Sequence, residues 1–186
     1  MTFVRWVDQF NKYLMIFLGL TFAAMSLSFF INILSRFVFS SLDMHIPVPW
    51  SQEVARYLMV WSVFIGVAVA SRNDKLISVE ILVHTLPPII GKVLKVSALL
   101  LTIVFFIYLI IIGFNMAFHQ GLRQTSPNMN LPMIVVYVSM LVGAVAGIVN
   151  IVALLIETFL TKKDIRFTSL EEEEEDAIRI IEVEKK

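Results

Sequence analysis

The sequence predicts an all-α integral membrane protein: four transmembrane helices, a short interfacial helix and a disordered acidic C-terminal tail. Three observations carry that expectation. The 186 residues are 58% hydrophobic and only 16% charged, with a mean hydropathy of +0.83. A soluble domain of similar length averages about 45–50% apolar and about 25% charged. The apolar excess is gathered in uncharged runs longer than about 18 residues, the length a helix needs to cross a bilayer. Charge is gathered as well, because the zero formal balance hides a block of five glutamates and an aspartate at residues 171–176. Cysteine is absent, so neither disulfides nor thiolate chemistry contribute. No basic patch interleaved with aromatics points to nucleic acid.

Residues 1–12 set Arg5, Asp8 and Lys12 among Phe3, Trp6, Val7 and Phe10. They read as an interfacial N-terminal segment with Trp6 at the headgroups. A signal peptide is the rival reading. The uncharged run that follows, 13–35, has 23 residues, against about 7–15 for an h-region, so a retained first span is expected. Small residues along it (Gly19, Ala23, Ala24, Ser26, Ser28) permit close helix approach, and Asn32 needs a hydrogen-bond partner, either Ser28 or a neighbouring helix. Arg36 ends the span. Pro47 and Pro49 oppose a continuous helix through 37–49, which reads as a loop.

The second span, 50–71, is WSQEVARYLMVWSVFIGVAVAS. Glu53 and Arg56 lie in its first two turns, three apart and on neighbouring positions of one face, which predicts a pair. Trp50, Glu53, Tyr57, Trp61 and Phe64 recur at steps of three and four and form one stripe. A charged pair beside an aromatic stripe predicts a surface for protein. The expected subunit interface is therefore Arg36, Trp50, Glu53, Arg56, Tyr57 and Trp61.

Residues 76–86, LISVEILVHTL, are too short to span. Val79, Leu82, Val83 and Leu86 follow helical spacing and predict a helix in the membrane plane, stopped by Pro87-Pro88. Glu80 and His84 share its other face and read as a solvated pair. The third span, 96–118, is again 23 uncharged residues. Its loop to Pro132 carries Arg123 as the one formal charge, and Pro132 suits the first turn of the next helix. The fourth span, 133–156, repeats Ser139, Gly143 and Gly147 at intervals of four, a small-residue ridge suited to packing inside the subunit. The tail, 161–186, is expected to stay solvated because like charges repel.

Basic residues near the span ends set the orientation. Arg5, Lys12, Arg72, Lys75, Lys92, Lys95, Lys162, Lys163 and Arg166 fall on one side, against Arg36, Arg56 and Arg123 on the other. The positive-inside rule then places both termini in the cytoplasm.

Catalytic and cofactor signatures are missing from this pattern. The three histidines lie in different loops, with no H-E-x-x-H and no Gly-x-Ser-x-Gly. Neither the repeats nor the interrupted helices of a self-sufficient transporter are visible. No catalytic residue, metal ligand or cofactor is expected, and an accessory membrane subunit is the reading. A homo-oligomeric channel, suggested by the ridge on the fourth span, and a membrane enzyme with a site assembled from loops are the alternatives.

Several motifs then resemble one family. N-x-x-x-R-F at Asn32–Phe37, W-S-Q-E-V-A-R-Y-L-M-V-W at Trp50–Trp61 and G-V-A-V-A-S-R at Gly66–Arg72 are similar to the small membrane subunit of tripartite ATP-independent periplasmic (TRAP) transporters. I-S-V-E-I-L at Ile77–Leu82, Leu86-Pro87 and S-P-N-M-N-L-P at Ser126–Pro132 continue the likeness over roughly residues 13–160. The family often has histidine and aspartate where Leu76 and Glu80 stand here, a departure that weighs against a special role for the Glu80–His84 pair. The resemblance implies a bacterial inner-membrane protein beside a large permease subunit, with a soluble periplasmic binding protein delivering substrate. It further implies sodium-driven uptake of organic acids, with the small subunit bracing the stationary scaffold and lipid around it.

Overall fold

The computed structural model describes residues 2–39, 48–72 and 87–161. Four long helices make up nearly all of it: α1 (Thr2–Leu34), α2 (Pro49–Arg72), α3 (Pro88–Asn115) and α4 (Ile134–Thr161). Each is long and apolar enough to cross a membrane, which makes this an all-α, multi-pass membrane protein. The expected in-plane helix at 76–86 and nearly all of the acidic tail lie outside the described residues.

Of the 1–12 segment, expected at the headgroups, residues 2–12 form the first three turns of α1, with no break before the apolar run. Its inward positions are engaged: Val7 is fully buried and Asn11 is buried beside it. A wide i→i+5 turn, Ser35–Phe39, prolongs α1, and a second, Met116–Gln120, prolongs α3. Pro88 opens α3, where its missing N–H has no intrahelical partner to lose. Pro132 does not start α4. It pairs across a short antiparallel bridge with Thr125, and the helix begins two residues later.

The helices stand in the order α1, α2, α4, α3. α2 packs along both α1 and α4, α4 also carries α3, and α1 meets α4 only slightly. Close approach explains the two central contacts. A Cβ at Gly143 would stand 2.6 Å from the Phe64 carbonyl oxygen, so α4 meets the α2 backbone there. A Cβ at Gly147 would stand 2.6 Å from the Phe106 ring, so the next glycine on the ridge receives a side chain from α3. Phe106 and Leu99 from α3, with Ala144, Ile151 and Leu154 from α4, form the buried core, and Val67 of α2 reaches it.

Polar side chains fasten the rest. Asn11 and Asn150 exchange amide hydrogen bonds of 2.6 and 2.8 Å, and Asn150 also donates to the Ala68 carbonyl at 2.6 Å. One buried pair thereby ties α1, α2 and α4. Arg72 repeats that connection at the end of α2, reaching Asp8 of α1 at 2.8 Å and Glu157 of α4 at 2.5 Å. Nearer the middle, Ser62 donates to Thr21 at 3.0 Å.

The two ridge glycines should differ in tolerance. Gly143→Ala drives a methyl group into backbone and should lower stability in detergent by about 1–3 kcal/mol. Gly147→Ala meets a ring edge that can turn and should cost less, a ranking that thermal unfolding of the two variants will read.

Candidate functional site

The features singled out in the sequence converge where α2 begins, against the loop between α3 and α4. Pro49 and Trp50 open α2, and the Ser51 hydroxyl and amide both donate to the Val48 carbonyl, at 2.8 and 3.1 Å. Asn32, near the end of α1, donates to Ser51 Oγ at 3.2 Å. Its partner is therefore the neighbouring helix, while Ser28 bonds back to Ala24 in its own.

Glu53 sits one turn further in and is only 5% exposed. Four donors from the 126–129 loop meet its carboxylate. Oε2 accepts from Ser126 Oγ at 2.5 Å and from the Met129 amide at 3.2 Å. Oε1 accepts from the Asn128 amide at 3.1 Å and its Nδ2 at 2.9 Å. Consecutive amides turned toward one point make an anion-binding concavity, and a carboxylate with two acceptor oxygens fills it. The loop is shaped for this. Ser126 and Leu131 join through a backbone bond of 2.9 Å, Met133 donates to Gln124 at 2.9 Å, and Asn130 turns the chain at φ 52°. Asparagine is among the few residues that adopt that left-handed conformation readily. At the root of the loop, a Cβ on Gly121 would lie 2.8 Å from the Ile134 backbone, so the strand of chain leaving α3 brushes the start of α4.

The expected Glu53–Arg56 pair does not form. Arg56 is exposed, and among the described residues it makes no ion pair. Arg36 does not reach Glu53 either; it is exposed, with its guanidinium 5.9 Å from the Phe37 ring centre. The physical reason is supply of donors. Glu53 already holds four hydrogen bonds from the loop, and these leave no lone pair in need of a cation.

The aromatic stripe divides in the same way. Trp61 turns inward, donating to the Val135 carbonyl at 3.1 Å and meeting Phe17 edge-on at 6.3 Å. Phe64 lies under Gly143. Tyr57 is half-buried and Trp50 is 44% exposed. Of the six residues expected at an interface, Glu53 and Trp61 serve the internal fold, whereas Arg36, Trp50 and Arg56 face outward.

Sequence reasoning missed the partners of Glu53 and the whole polar layer at the other end. Asp8, Arg72 and Glu157 each close one span on the side richer in basic residues, and their opposite signs at one depth were the available signal. Asn11, just before the first apolar run, and Asn150, inside the fourth, were visible as isolated amides. Chemically, the site clamps a loop to a helix. Among the described residues, no group of three or more His, Cys, Asp or Glu stands close enough to hold a metal ion.

Comparison with known proteins supplies the remaining findings. Residues 25–161 match the family described as "Tripartite ATP-independent periplasmic transporters, DctQ component". A relative from Haemophilus influenzae, provisionally named a TRAP transporter small permease protein, is 29% identical over 148 residues, covering 80% of this chain and 88% of its own. No solved structure matches.

The clamp has a measurable signature. Glu53→Gln keeps the shape but turns an amide N–H₂ toward two of the loop donors, and each buried donor left unsatisfied costs about 1–3 kcal/mol. Hydrogen exchange at the Asn128 and Met129 amides should accelerate about tenfold or more, in line with that cost. Arg56→Gln should leave the same amides as protected as in the wild type.

Proposed function

The chain belongs to the DctQ family, the small membrane component of tripartite ATP-independent periplasmic transporters, and from that premise we propose that it is the scaffold subunit of a sodium-driven organic-acid importer. In this reading it stands in the bacterial inner membrane with both termini cytoplasmic and braces a large permease subunit. A periplasmic binding protein delivers the substrate. The large subunit supplies the substrate and ion sites, and this chain widens the stationary part of the assembly.

The observation that supports a bracing role is how the polar groups close on one another. Asn11 with Asn150, Ser62 with Thr21, and Glu53 with the 126–129 loop are all mutually engaged. Intramembrane polar groups that serve transport face a cavity and a substrate; these face other helices of the same chain. Arg72, held between Asp8 and Glu157, acts as a fastening in the same manner. The channel alternative drew on the Gly143–Gly147 ridge, and that ridge is occupied by Phe64 and Phe106 of this chain.

Two experiments test the reading. Purified alone into sodium-loaded vesicles, the chain should give background uptake of organic acids, and uptake should appear only with the large subunit and binding protein present. Saturable uptake by the chain alone would replace the scaffold with a transporter. Orientation is tested with Ser41→Cys, Asn73→Cys and Ser169→Cys in intact cells. A membrane-impermeant thiol reagent should label position 41 and spare 73 and 169; the opposite pattern inverts the topology.

A further inference from the structure

The outer surface of α1 and α2 carries a feature that lipid alone does not account for. A groove of about 850 Å³ runs between these helices, lined by Met15, Gly19, Phe22, Met59, Val63 and Gly66 among others. Its larger side chains are half exposed: Met15 53%, Phe22 59%, Met59 52% and Val63 51%. Gly113, Gly121, Gly143 and Gly147 each meet a neighbour that a Cβ would approach to 3.2 Å or less. At Gly19 a Cβ would meet nothing within 4 Å, and at Gly66 only Leu18 at 3.9 Å. Of these six glycines, the two without a close internal neighbour both line one groove. Glycine weakens a helix relative to alanine, and in membranes small residues mark where another backbone comes close.

Charge singles out the same groove. On α2, Arg56 stands three and seven residues before Met59 and Val63, on the stripe that lines it. On α1, Arg36 stands about two turns beyond Phe29, another lining residue. Both arginines are exposed, and neither meets a carboxylate among the described residues. Taking the Asn32–Ser51 contact as a common level, Arg36 lies about 6 Å to one side and Arg56 about 7.5 Å to the other along the helix axes. A single phosphate is bound by guanidinium groups that converge; this staggered pair matches carboxylates spaced along a polypeptide. The groove between the start of α1 and α4, lined by Trp6, Phe10, Leu141 and Val145 among others, has no glycine in its wall.

We infer that the α1–α2 groove, with Arg56 and Arg36 at its loop end, seats a transmembrane helix of the large permease subunit. That helix presents a small-residue ridge to Gly19 and Gly66 and carboxylates to the two arginines. The inference rests on the scaffold reading above and adds the face and the chemistry of its partner.

The test uses the full complex, with this chain tagged and co-expressed with its large subunit. Gly19→Leu enters open space in the isolated chain, so its thermal unfolding should match the wild type. Recovery of the large subunit should nevertheless fall about tenfold, because the added side chain occupies the seat of the incoming helix. Arg36→Glu with Arg56→Glu should lower recovery to a similar extent, and Val104→Trp on the outer face of α3 should not. A photo-reactive phenylalanine analogue at Val63 should cross-link to the large subunit, and one at Val104 should not. Wild-type recovery in Gly19→Leu, with only lipid adducts or a second copy of this chain captured at Val63, would overturn the inference and leave the scaffold reading standing. Failure of the wild-type chain to recover any large subunit would remove both.

Discussion

In lipid, two apolar helices gain little by exchanging acyl chains for one another, so association depends on close packing and on polar groups that need partners. That constraint explains why α2 is the element that α1, α4 and the loop before α4 lean on. Its start accepts Asn32 and holds the 126–129 loop through Glu53; its middle meets Thr21 and Val135; its end carries Ala68 and Arg72 to Asn150, Asp8 and Glu157. Interhelical hydrogen bonds in membranes average only about 0.6 kcal/mol each. Their weight lies in register more than in total energy. Sliding α1 by one turn against α4 would separate Asn11 from Asn150 and leave both amides unsatisfied in an apolar setting. α3 follows the other rule and is held by shape, with Phe106 in the hollow of Gly147.

The long elements were legible because they rest on composition. Uncharged runs of about two dozen residues have no soluble solution, and prolines at 49 and 88 stand at the starts of α2 and α3. Two boundaries were not legible for a shared reason. Arg5, Asp8 and Lys12 resemble a surface segment when viewed locally, yet Asp8 belongs to a contact with Arg72, 64 residues away. Pro132 has the local chemistry of a helix start, but its neighbours Leu131 and Met133 are bonded across to Ser126 and Gln124, and the helix begins only at Ile134. In both places a distant partner overrides what the neighbouring residues prefer. The small-residue ridge on α4 was legible in function, and only the identity of its partners, Phe64 and Phe106, required coordinates.

The candidate site was half legible for a related reason. Helical spacing correctly placed Glu53, Trp61 and Phe64 on one stripe, and that stripe is a packing surface. Spacing carries no information on which protein a stripe packs against: Glu53, Trp61 and Phe64 meet the same chain, whereas Trp50 stays 44% exposed. The pairing of Glu53 with Arg56 was a local rule applied where a stronger, long-range one operates. Carboxylate oxygens accept from backbone amides as readily as from a cation, and the Ser126–Met129 stretch offers a hydroxyl, a side-chain amide and two backbone amides together. A loop of Ser, Pro and Asn near an otherwise unexplained intramembrane acid was the available signal.

The division between Glu53 and Arg56 follows from what each side chain can offer. A carboxylate is compact and purely an acceptor, so it can end the backbone donors of a turn inside a packed site. Guanidinium offers donors only and could not satisfy those amides; its long stem suits it to run along an apolar surface with the charge held in water. One turn of α2 therefore sends its anion inward and its cation outward. Arg36 and Arg123, both exposed on the same side of the molecule as Arg56 by chain topology, reinforce that sign. The carboxylate nearest to Arg56 on α2 has been taken up by the fold, so among the described residues the guanidinium is left on the outer face of the helix without an ion pair.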